Sequence, residues 1–291
     1  MALRILTILA RYGTTAYPES KTKIDGIFSA CLPSVKRHTI IVDNALPPEH
    51  RSNENGVEVI GGTSLWREFS GFDDAIRYLG SEIYQYDVVL LATAAFDQYY
   101  TRYIHRVTES MLQVVADYPI ALGHIDAYNE MISAFGYESQ YWLRSSFVYL
   151  APTEVARLGP MAYVRNRSDL FTDNASAPWL KEAPISPTYR RLLTDWLTSS
   201  QGTGQGEEWH SRFALSDESL PLFRDKAIAI INEHMLTIRL RAQGCTIVDQ
   251  TWLAGHLEND RALPPVWPGW RDQLKTRDDV VSIPTPSMRP T

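Results

Sequence analysis

Apolar residues in the first half of the chain follow two alternating patterns. A continuous apolar run predicts a buried strand over residues 3–10, and further strands are predicted over residues 38–42, 56–60 and 87–92, the last of them also buried. Between these runs, residues 21–32 and 72–81 carry apolar side chains at helical spacing, which predicts amphipathic helices. Strands that alternate with helices predict an α/β fold, in which helices flank both faces of a mainly parallel sheet.

The second half of the chain is less regular. Residues 100–116 and 189–198 predict helices, and residues 119–122 and 147–150 predict short strands. Residues 126–144 are rich in aromatic side chains, and we expect them to be helical in part. Residues 165–187 predict a loop beside the functional cleft. Residues 201–206 predict a glycine-rich flexible loop, because they lack the Lys-Ser/Thr ending of a phosphate-binding P-loop.

Length and composition are typical of a soluble globular protein. The 291 residues are 44% hydrophobic and 21% charged, which suits one large domain or two small ones. The net charge of −6 disfavours nucleic acid as a partner. Cys31 and Cys245 form neither a disulfide framework nor a metal-ligand spacing, so we expect a reduced, cytoplasmic setting. No apolar run reaches the roughly 20 residues that span a bilayer.

Ligands of such sheets bind beyond the carboxyl ends of the strands. The residues that follow the predicted strands are therefore candidates for a binding site. They are Arg11, Tyr12, Asp43, Asn44, residues 61–67 and residues 93–97.

An acid, two arginines and a glycine are spaced along residues 232–248. Glu233 is predicted near the N-terminus of a short amphipathic helix, where the helix dipole favours a carboxylate. Gly244 is predicted to end that helix in the left-handed conformation. A core helix explains Leu236 and Leu240 equally well, so a catalytic and a purely structural interpretation of Glu233 both stay open.

Taken in order, these blocks resemble the GT-A glycosyltransferases of the large family that builds bacterial surface polysaccharides. The block at 232–248 is similar to the Glu-Asp…Leu…Arg-Leu…Gly block of the inverting members. The variant Arg-Glu-Phe-Ser-Gly looks like a subset linked to rhamnan, capsule and O-antigen synthesis. The similarity spans roughly residues 3–257. It is carried by Leu-Ala-Arg-Tyr at 9–12, Ile-Ile-Val-Asp-Asn-Ala at 40–45, Gly-Val-Glu-Val-Ile-Gly-Gly at 56–62, Arg-Glu-Phe-Ser-Gly-Phe-Asp-Asp-Ala at 67–75 and Asp-Val-Val-Leu-Leu-Ala at 87–92.

The resemblance implies one GT-A (Rossmann-like) catalytic domain over residues 1–257, followed by an extended Pro-rich tail over residues 258–291. Residues 1–122 form its nucleotide-sugar-binding half, and residues 123–257 its acceptor and catalytic half. The implied activity is inverting transfer of a sugar from a nucleotide-sugar donor to a glycan or lipid-linked glycan acceptor, in surface polysaccharide biosynthesis. The implied location is cytoplasmic, and association with the inner face of the membrane or with a partner enzyme stays open.

The resemblance also assigns roles to single residues. Glu233 takes the position of the general base, which removes the proton of the attacking hydroxyl. Asp43 is expected to accept a hydrogen bond from the nucleotide base, with Arg11 and Tyr12 beside that base. Arg67 is expected to pair with the diphosphate or the base, since a guanidinium binds oxyanions through two nitrogens. Each position also has a structural alternative. Asp43 would belong to an ordinary turn, Tyr12 would lie at the rim of the core, and Arg67 would form a solvated ion pair.

The middle of the chain supplies candidates for contacts with the donor sugar or the acceptor. Aromatic rings stack on the apolar faces of sugars while polar groups bind their hydroxyls. The candidates are His124, Asp126, Trp142, Arg144 and Ser146. A core position explains Trp142 equally well. Trp209 and His210 are weaker candidates for closing over a bound nucleotide.

The chain departs from the family where the fourth predicted strand of the first half ends. There the family carries an acidic motif that holds Mg²⁺ or Mn²⁺ on the diphosphate, whereas this chain has Ala94, with Asp97 three residues later. Catalysis without a metal is the first explanation, with basic residues such as Arg102 and Arg106 neutralising the diphosphate. A shifted loop that lets Asp97 bind the metal is the second. The third is a non-catalytic subunit that binds nucleotide or glycan and supports a partner transferase.

Overall fold

In the part of the chain that the structure describes, eight strands join one central sheet and two more form a separate hairpin. The computed structural model describes residues 2–98, 101–198, 212–258 and 262–277. Within these ranges the strands are β1 (Arg4–Arg11), β2 (Lys36–Asp43), β3 (Arg51–Glu54), β4 (Val57–Gly61), β5 (Val88–Thr93), β6 (Ile120–Gly123), β7 (Ile125–Ala134), β8 (Tyr137–Leu143), β9 (Phe147–Leu150) and β10 (Thr246–Asp249).

The sheet has the order β10-β6-β9-β5-β1-β2-β4-β3. The pairs of β1 with β2 and β5, of β2 with β4, and of β6 with β10 are parallel. Strand β9 runs antiparallel to both β5 and β6, and the edge strand β3 runs antiparallel to β4. The sheet is therefore mixed but mostly parallel. The continuous apolar runs of β1 and β5 are explained by burial of both faces.

Helices cover both faces of the sheet, as the strand–helix alternation predicted. The described helices are α1 (Ser20–Cys31), α2 (Glu68–Leu79), α3 (Glu109–Asp117), α4 (Pro152–Leu158), α5 (Pro187–Thr198), α6 (Leu220–Ala242), α7 (Gln250–Glu258) and α8 (Trp270–Thr276). One apolar cluster joins α1, α3 and α7 to one face, and another joins α2, α4 and the end of α6 to the opposite face. A third joins the hairpin β7–β8, α5 and the first part of α6. None of the helices in the described ranges combines the length and apolar character needed to cross a membrane. The α/β fold class is thus confirmed.

Two glycines at the end of β4 allow the loop after β2 to approach closely. A Cβ atom on Gly61 would lie 1.7 Å from the carbonyl oxygen of Pro47, and one on Gly62 would lie 2.0 Å from Oδ1 of Asn44. A side chain at Gly61 would require the Pro47 backbone to move, and one at Gly62 would displace the side chain of Asn44. The glycines therefore hold the carboxyl ends of β2 and β4 side by side.

The helix predicted over residues 100–116 is wrong in its first part. A 3₁₀ turn (Arg102–Arg106) precedes α3, and Thr108 separates the two. Oγ1 of Thr108 accepts a hydrogen bond from the backbone N–H of Met111 at 3.2 Å, which is the geometry of an N-cap. This cap starts a new helix inside a continuous apolar pattern.

The partly helical structure predicted for residues 126–144 is also wrong. These residues form most of the hairpin β7–β8, whose turn has φ of 51° at Phe135 and 83° at Gly136. The pairing register shifts between Ala127 and Ile132. This irregularity interrupts the strict alternation of apolar and polar residues that is typical of a strand. The spacing of the apolar residues therefore resembles that of a helix.

Glu233 does not lie near a helix N-terminus, which corrects the prediction from residues 232–248. Helix α6 is 23 residues long and begins at Leu220, so Glu233 lies well inside it. The side chain of Asn232, the preceding residue, binds the backbone of Val164. Its Oδ1 accepts from the backbone nitrogen of Val164 at 2.7 Å, and its Nδ2 donates to the carbonyl of Val164 at 3.2 Å. Gly244 follows the helix with φ of 89°, as predicted.

The segment after α7 is not wholly extended, because residues 262–277 include α8. The amide of Gln273 is buried, accepts from the backbone nitrogen of Asp249 at 2.7 Å and donates to the carbonyl of Ile247 at 3.0 Å. Nη1 of Arg277 lies 2.8 Å from Oδ2 of Asp249. The side chain of Gln273 thus satisfies two backbone groups of strand β10. Residues 278–291 of the predicted tail lie outside the described residues.

Candidate functional site

The carboxylate of Asp43 joins the loops that follow β1 and β2. Its Oδ2 lies 2.7 Å from Nε of Arg11, and its Oδ1 accepts from the backbone nitrogens of Gly13 at 2.8 Å and Ala45 at 3.0 Å. Burial acts to raise the pKa of Asp43, but these donors hold it below the ordinary value. Because Asp43 is 2% exposed, the structure gives its carboxylate an internal, loop-positioning role. Its contact with a nucleotide base stays a prediction.

The other predicted nucleotide contacts lie at the same edge of the sheet. Nη2 of Arg11 also approaches Oε1 of Glu54 at 3.3 Å. Tyr12 is 71% exposed, so its ring is available for stacking. The carbonyl of Arg67 accepts from Nδ2 of Asn44 at 2.9 Å, and the side chain of Arg67 is exposed. The structure therefore brings the predicted nucleotide-side residues to neighbouring strand ends.

Glu233 faces the connection between β8 and β9. Its Oε1 accepts hydrogen bonds from the backbone nitrogen of Ser145 at 2.6 Å and from the hydroxyl of Ser145 at 2.9 Å. One turn further along α6, Oγ1 of Thr237 accepts from the backbone nitrogen of Leu143 at 2.8 Å. Helix α6 therefore supplies acceptors for two main-chain N–H groups near the end of β8.

Burial raises the pKa of Glu233 to about 7. The hydrogen bonds from Ser145 act in the opposite direction, and the charges of Glu68 and Asp126 raise the pKa further. The side chain is only partly buried, so one side of it remains reachable. A carboxyl group that titrates near neutral pH can take and release protons under physiological conditions, as acid–base catalysis requires.

A compact ion cluster lies beside Ser145. Arg144 holds the carboxylate of Asp126 through two nitrogens, with Nε 2.5 Å from Oδ2 and Nη2 3.3 Å from Oδ1. Nε2 of His124 lies 3.3 Å from Oδ1 of Asp126, and the ring of Tyr103 stacks on His124. Burial acts to raise the pKa of Asp126, but Arg144 and His124 hold it far below its usual range. Asp126 is therefore ionised at neutral pH.

Ser146 connects this cluster to the end of β5. Its carbonyl accepts from the backbone nitrogen of Thr93 at 3.0 Å. The next residue, Ala94, donates its own N–H to the carbonyl of Ala10 at 2.8 Å. The predicted sugar-side residue Ser146 therefore lies next to the strand end at which the sequence has alanine instead of an acid.

Trp142 belongs to the interior and not to an open sugar-binding surface. It is 2% exposed, and its ring centroid lies 4.3 Å from that of His234 and 4.6 Å from that of Tyr128. Burial lowers the pKa of His234 to about 3, so this histidine is neutral, and its Nδ1 is hydrogen-bonded to the hydroxyl of Tyr189. The structure gives Trp142 a packing role behind Glu233.

The end of β5 does not fit Mg²⁺ or Mn²⁺. Ala94 has no ligand atom, and the carboxylate of Asp97 forms an ion pair with Lys23. Within the described ranges, no three His, Cys, Asp or Glu side chains converge on a common point as metal ligands. No step of the chemistry below therefore passes through a metal ion.

Arg106, a candidate for neutralising the diphosphate, forms an ion pair with α7. Nη2 of Arg106 lies 2.7 Å from Oε2 of Glu258 on α7. The side chain of Arg102 and the residues Trp209 and His210 lie outside the described part of the chain.

The structure adds residues that the sequence analysis did not assign to the site. Ser145 binds Glu233, and the charge of Glu68 at the start of α2 reaches it. Lys226 lies seven positions before Glu233 on the same helix, so both residues share one helical face. The seven-residue spacing can be read from the sequence. It places the two residues on one face only if the helix is uninterrupted between them.

Comparisons with known proteins gave no match to a protein-family model, a curated protein or a solved structure. Fold and site together define an α/β protein with a mostly parallel sheet. One group of site residues surrounds Asp43 in the loops that follow β1 and β2. A second group surrounds the carboxyl groups of Glu233 and Asp126, near the connection between β8 and β9.

Proposed function

We propose that this protein is a glycosyltransferase of GT-A type, which moves a sugar from a nucleotide-sugar donor to a glycan acceptor with inversion at the anomeric carbon. The observation that carries the proposal is Glu233, a carboxyl group with a pKa of about 7 beside the ion cluster of Asp126 and Arg144. The resemblance in sequence supports the same activity. It implies a cytoplasmic reaction during synthesis of a surface polysaccharide, with association with the inner face of the membrane left open.

The donor nucleotide is assigned to the ends of β1 and β2. The exposed ring of Tyr12 offers a stacking surface for the base. Arg11 and Asp43 hold that loop in place through their ion pair. Rigid support of this kind lowers the entropic cost of binding, because the loop is ordered before the ligand arrives.

In the transfer step, an acceptor hydroxyl attacks the anomeric carbon while the bond from that carbon to the diphosphate breaks. The diphosphate leaves with the bonding electron pair, and Glu233 takes the proton of the hydroxyl. A base with a pKa near the working pH combines an adequate ionised fraction with adequate proton affinity. The ionised pair of Asp126 and Arg144 offers hydrogen-bonding groups to sugar hydroxyls on the same side.

A non-catalytic subunit that binds nucleotide or glycan for a partner transferase is the second candidate. The observation in its favour is the end of β5, where Ala94 has no acidic group and Lys23 neutralises Asp97. Both candidates bind nucleotide, so binding alone does not separate them.

The experiment is a panel of UDP-, GDP-, dTDP- and CMP-sugars, each with EDTA and with Mn²⁺, in which nucleotide release and sugar transfer are followed together. Release that persists in EDTA supports a metal-independent transferase. Nucleotide binding without release from any donor supports the binding subunit. Absence of both binding and release would remove both candidates.

A further inference from the structure

Asp249 ends strand β10 and forms a buried ion pair with Arg277, the residue after α8. The side chains of the two residues are 0% and 15% exposed. Oδ2 of Asp249 lies 2.8 Å from Nη1 of Arg277 and accepts from the backbone nitrogen of Ile125 at 3.0 Å. The same Nη1 donates to the carbonyl of Ile125 at 3.0 Å. One ion pair therefore binds both backbone polar groups of Ile125.

Ile125 lies between His124 and Asp126, which form the ion cluster beside Ser145 together with Arg144. We call His124, Asp126 and Arg144 the sugar-side cluster. The N–H of Ile125 belongs to the planar peptide unit shared with His124, and its carbonyl belongs to the unit shared with Asp126. Holding both units fixes the directions in which these two side chains leave the backbone. The backbone nitrogen of Arg144 donates to the carbonyl of His124 at 3.0 Å, so the third member is tied to the same segment.

The next residue, Gln250, reaches the sugar-side cluster from another direction. Its Nε2 donates to the carbonyl of Tyr103 at 2.8 Å. The ring of Tyr103 stacks on the ring of His124, with centroids 4.8 Å apart. Oδ1 of Asp249 accepts from two backbone nitrogens in the first turn of α7, which begins at Gln250. The carboxylate of Asp249 therefore also fixes the helix end that carries Gln250.

We infer that Asp249, Gln250 and Arg277 are positioning residues, which hold the sugar-side cluster in the orientation in which it binds sugar hydroxyls. Asp249 and Gln250 are fully buried, so they act through the cluster and not by contact with a substrate. A displacement of about 1 Å in groups that orient a substrate can lower a rate by about 100-fold. The role in sugar transfer rests on the proposed function, whereas the hold on the cluster does not.

Kinetics of full-chain variants test the positioning role. R277Q removes the donor to the carbonyl of Ile125, and Q250M removes the donor to Tyr103 at similar volume. We expect each to lower kcat/KM for sugar transfer by about tenfold, because each leaves a buried carbonyl without its partner. R277K keeps a cationic donor and should lie within about threefold of the unchanged protein. The control K275Q removes an exposed charge from the same helix and should change kcat/KM by less than about twofold.

A double-mutant cycle with Arg144 separates positioning from a purely structural effect. If R277Q acts through Arg144, it should cost less than about twofold in kcat/KM once R144Q has removed the guanidinium. Losses that multiply instead would show independent action and overturn the inference. Urea denaturation establishes that each variant is folded under the assay conditions. Q250M carries the same cycle if R277Q does not fold.

Hydrogen exchange followed by NMR gives a readout that needs no catalysis. The Nε proton of Arg144 lies in the contact with Oδ2 of Asp126 at 2.5 Å, and its signal is assigned by its loss in R144Q. We expect R277Q and Q250M to speed its exchange with water by about fivefold or more, because a loosened cluster opens more often. K275Q should leave the exchange rate unchanged.

The two readouts distinguish failure of the inference from failure of the proposed function. Faster exchange in R277Q and Q250M, without transfer from any donor by the unchanged protein, supports the hold on the cluster and removes the glycosyltransferase proposal. Transfer by the unchanged protein, with equal exchange in all variants, keeps the glycosyltransferase proposal and overturns the inference.

Discussion

Oε1 of Glu233 lies 2.6 Å from the backbone nitrogen and 2.9 Å from the hydroxyl oxygen of Ser145, 88 residues earlier in the chain. Both hydrogen bonds use the same carboxylate oxygen. Within the described residues, Oε2 receives no hydrogen bond. A proton can therefore bind and leave at Oε2 while the contacts that tie α6 to the end of β8 persist.

Replacing Glu233 with Gln keeps an oxygen for the Ser145 contacts and removes the base. We expect E233Q to lower the turnover number for sugar transfer by about 100-fold or more, which is the usual contribution of a general base. Nucleotide affinity should be unchanged. The matched control is E182Q, at an exposed position. Turnover of E233Q within a factor of about ten of the unchanged protein would show that Glu233 is not the base.

The rate of transfer should rise with pH through about 7, because only the ionised form of Glu233 accepts a proton. Removing the hydroxyl of Ser145 removes a hydrogen bond that favours the ionised form. S145A should therefore move the midpoint of the pH–rate profile upward by about half a unit to one unit. The profiles of the two proteins, measured side by side, check this. Coincident midpoints would assign the titration to another group.

Ionisation of Glu233 should destabilise the fold. Its pKa rises from 4.5 to about 7 on folding, so the stabilising effect is complete below pH 4.5 and is lost as pH rises through about 7. Gln does not ionise. Between pH 5 and pH 8 we expect the free energy of unfolding of E233Q to gain on that of the unchanged protein, by on the order of 2 to 3 kcal/mol. Urea denaturation at both pH values measures the difference, with E182Q as the control. A difference that does not depend on pH contradicts the raised pKa.

Asp43 is expected to stabilise the loops at the nucleotide side. D43A leaves Arg11 and two backbone N–H groups without their partner, so we expect a loss of about 2 to 4 kcal/mol in the free energy of unfolding. Because the pKa of Asp43 is lowered on folding, its contribution is present above pH 3.8 and is lost as pH falls below that value. Urea denaturation at neutral pH gives the size of the loss. D117N, at an exposed position, should change stability by less than about 0.5 kcal/mol.

Gln273 is expected to hold α8 against the sheet. Q273A leaves a backbone nitrogen of Asp249 and a carbonyl of Ile247 without their partners, so we expect a loss of about 1 to 3 kcal/mol. Q113A removes an exposed glutamine and is the control. Hydrogen exchange adds a local readout, since the amide of Asp249 should lose protection. Unchanged protection there would mean that other contacts hold the segment.

The first half of the fold followed from the sequence because its central strands are buried on both faces. β1 and β5 appear as unbroken apolar runs, and their predicted limits agree with the structure to within one residue. The short strand β3 was missed, since its sequence Arg-Ser-Asn-Glu lies exposed at the sheet edge and carries no apolar signal. Apolar patterns along the chain therefore predict strands that are buried on both faces, and they miss a short strand that is exposed at the edge of the sheet.

Only the nucleotide side of the candidate site could be predicted from the sequence. Arg11, Tyr12 and Asp43 were expected together because the ends of parallel strands meet at one edge. The contact of Glu233 with Ser145 depends on how α6 packs across the hairpin, and no short-range pattern records that packing. The start of α6 was also missed, because the helix begins at Leu220, well before the block from which the helix was predicted.

The amide of Gln273 has a consequence for association between molecules. An exposed strand edge offers unpaired N–H and C=O groups to any other extended chain, and such edges promote aggregation. Gln273 occupies one N–H and one C=O group of β10, while the opposite edge, β3, is short and carries Arg51 and Glu54. We therefore expect both edges of the sheet to disfavour the addition of a strand from a second copy of the protein.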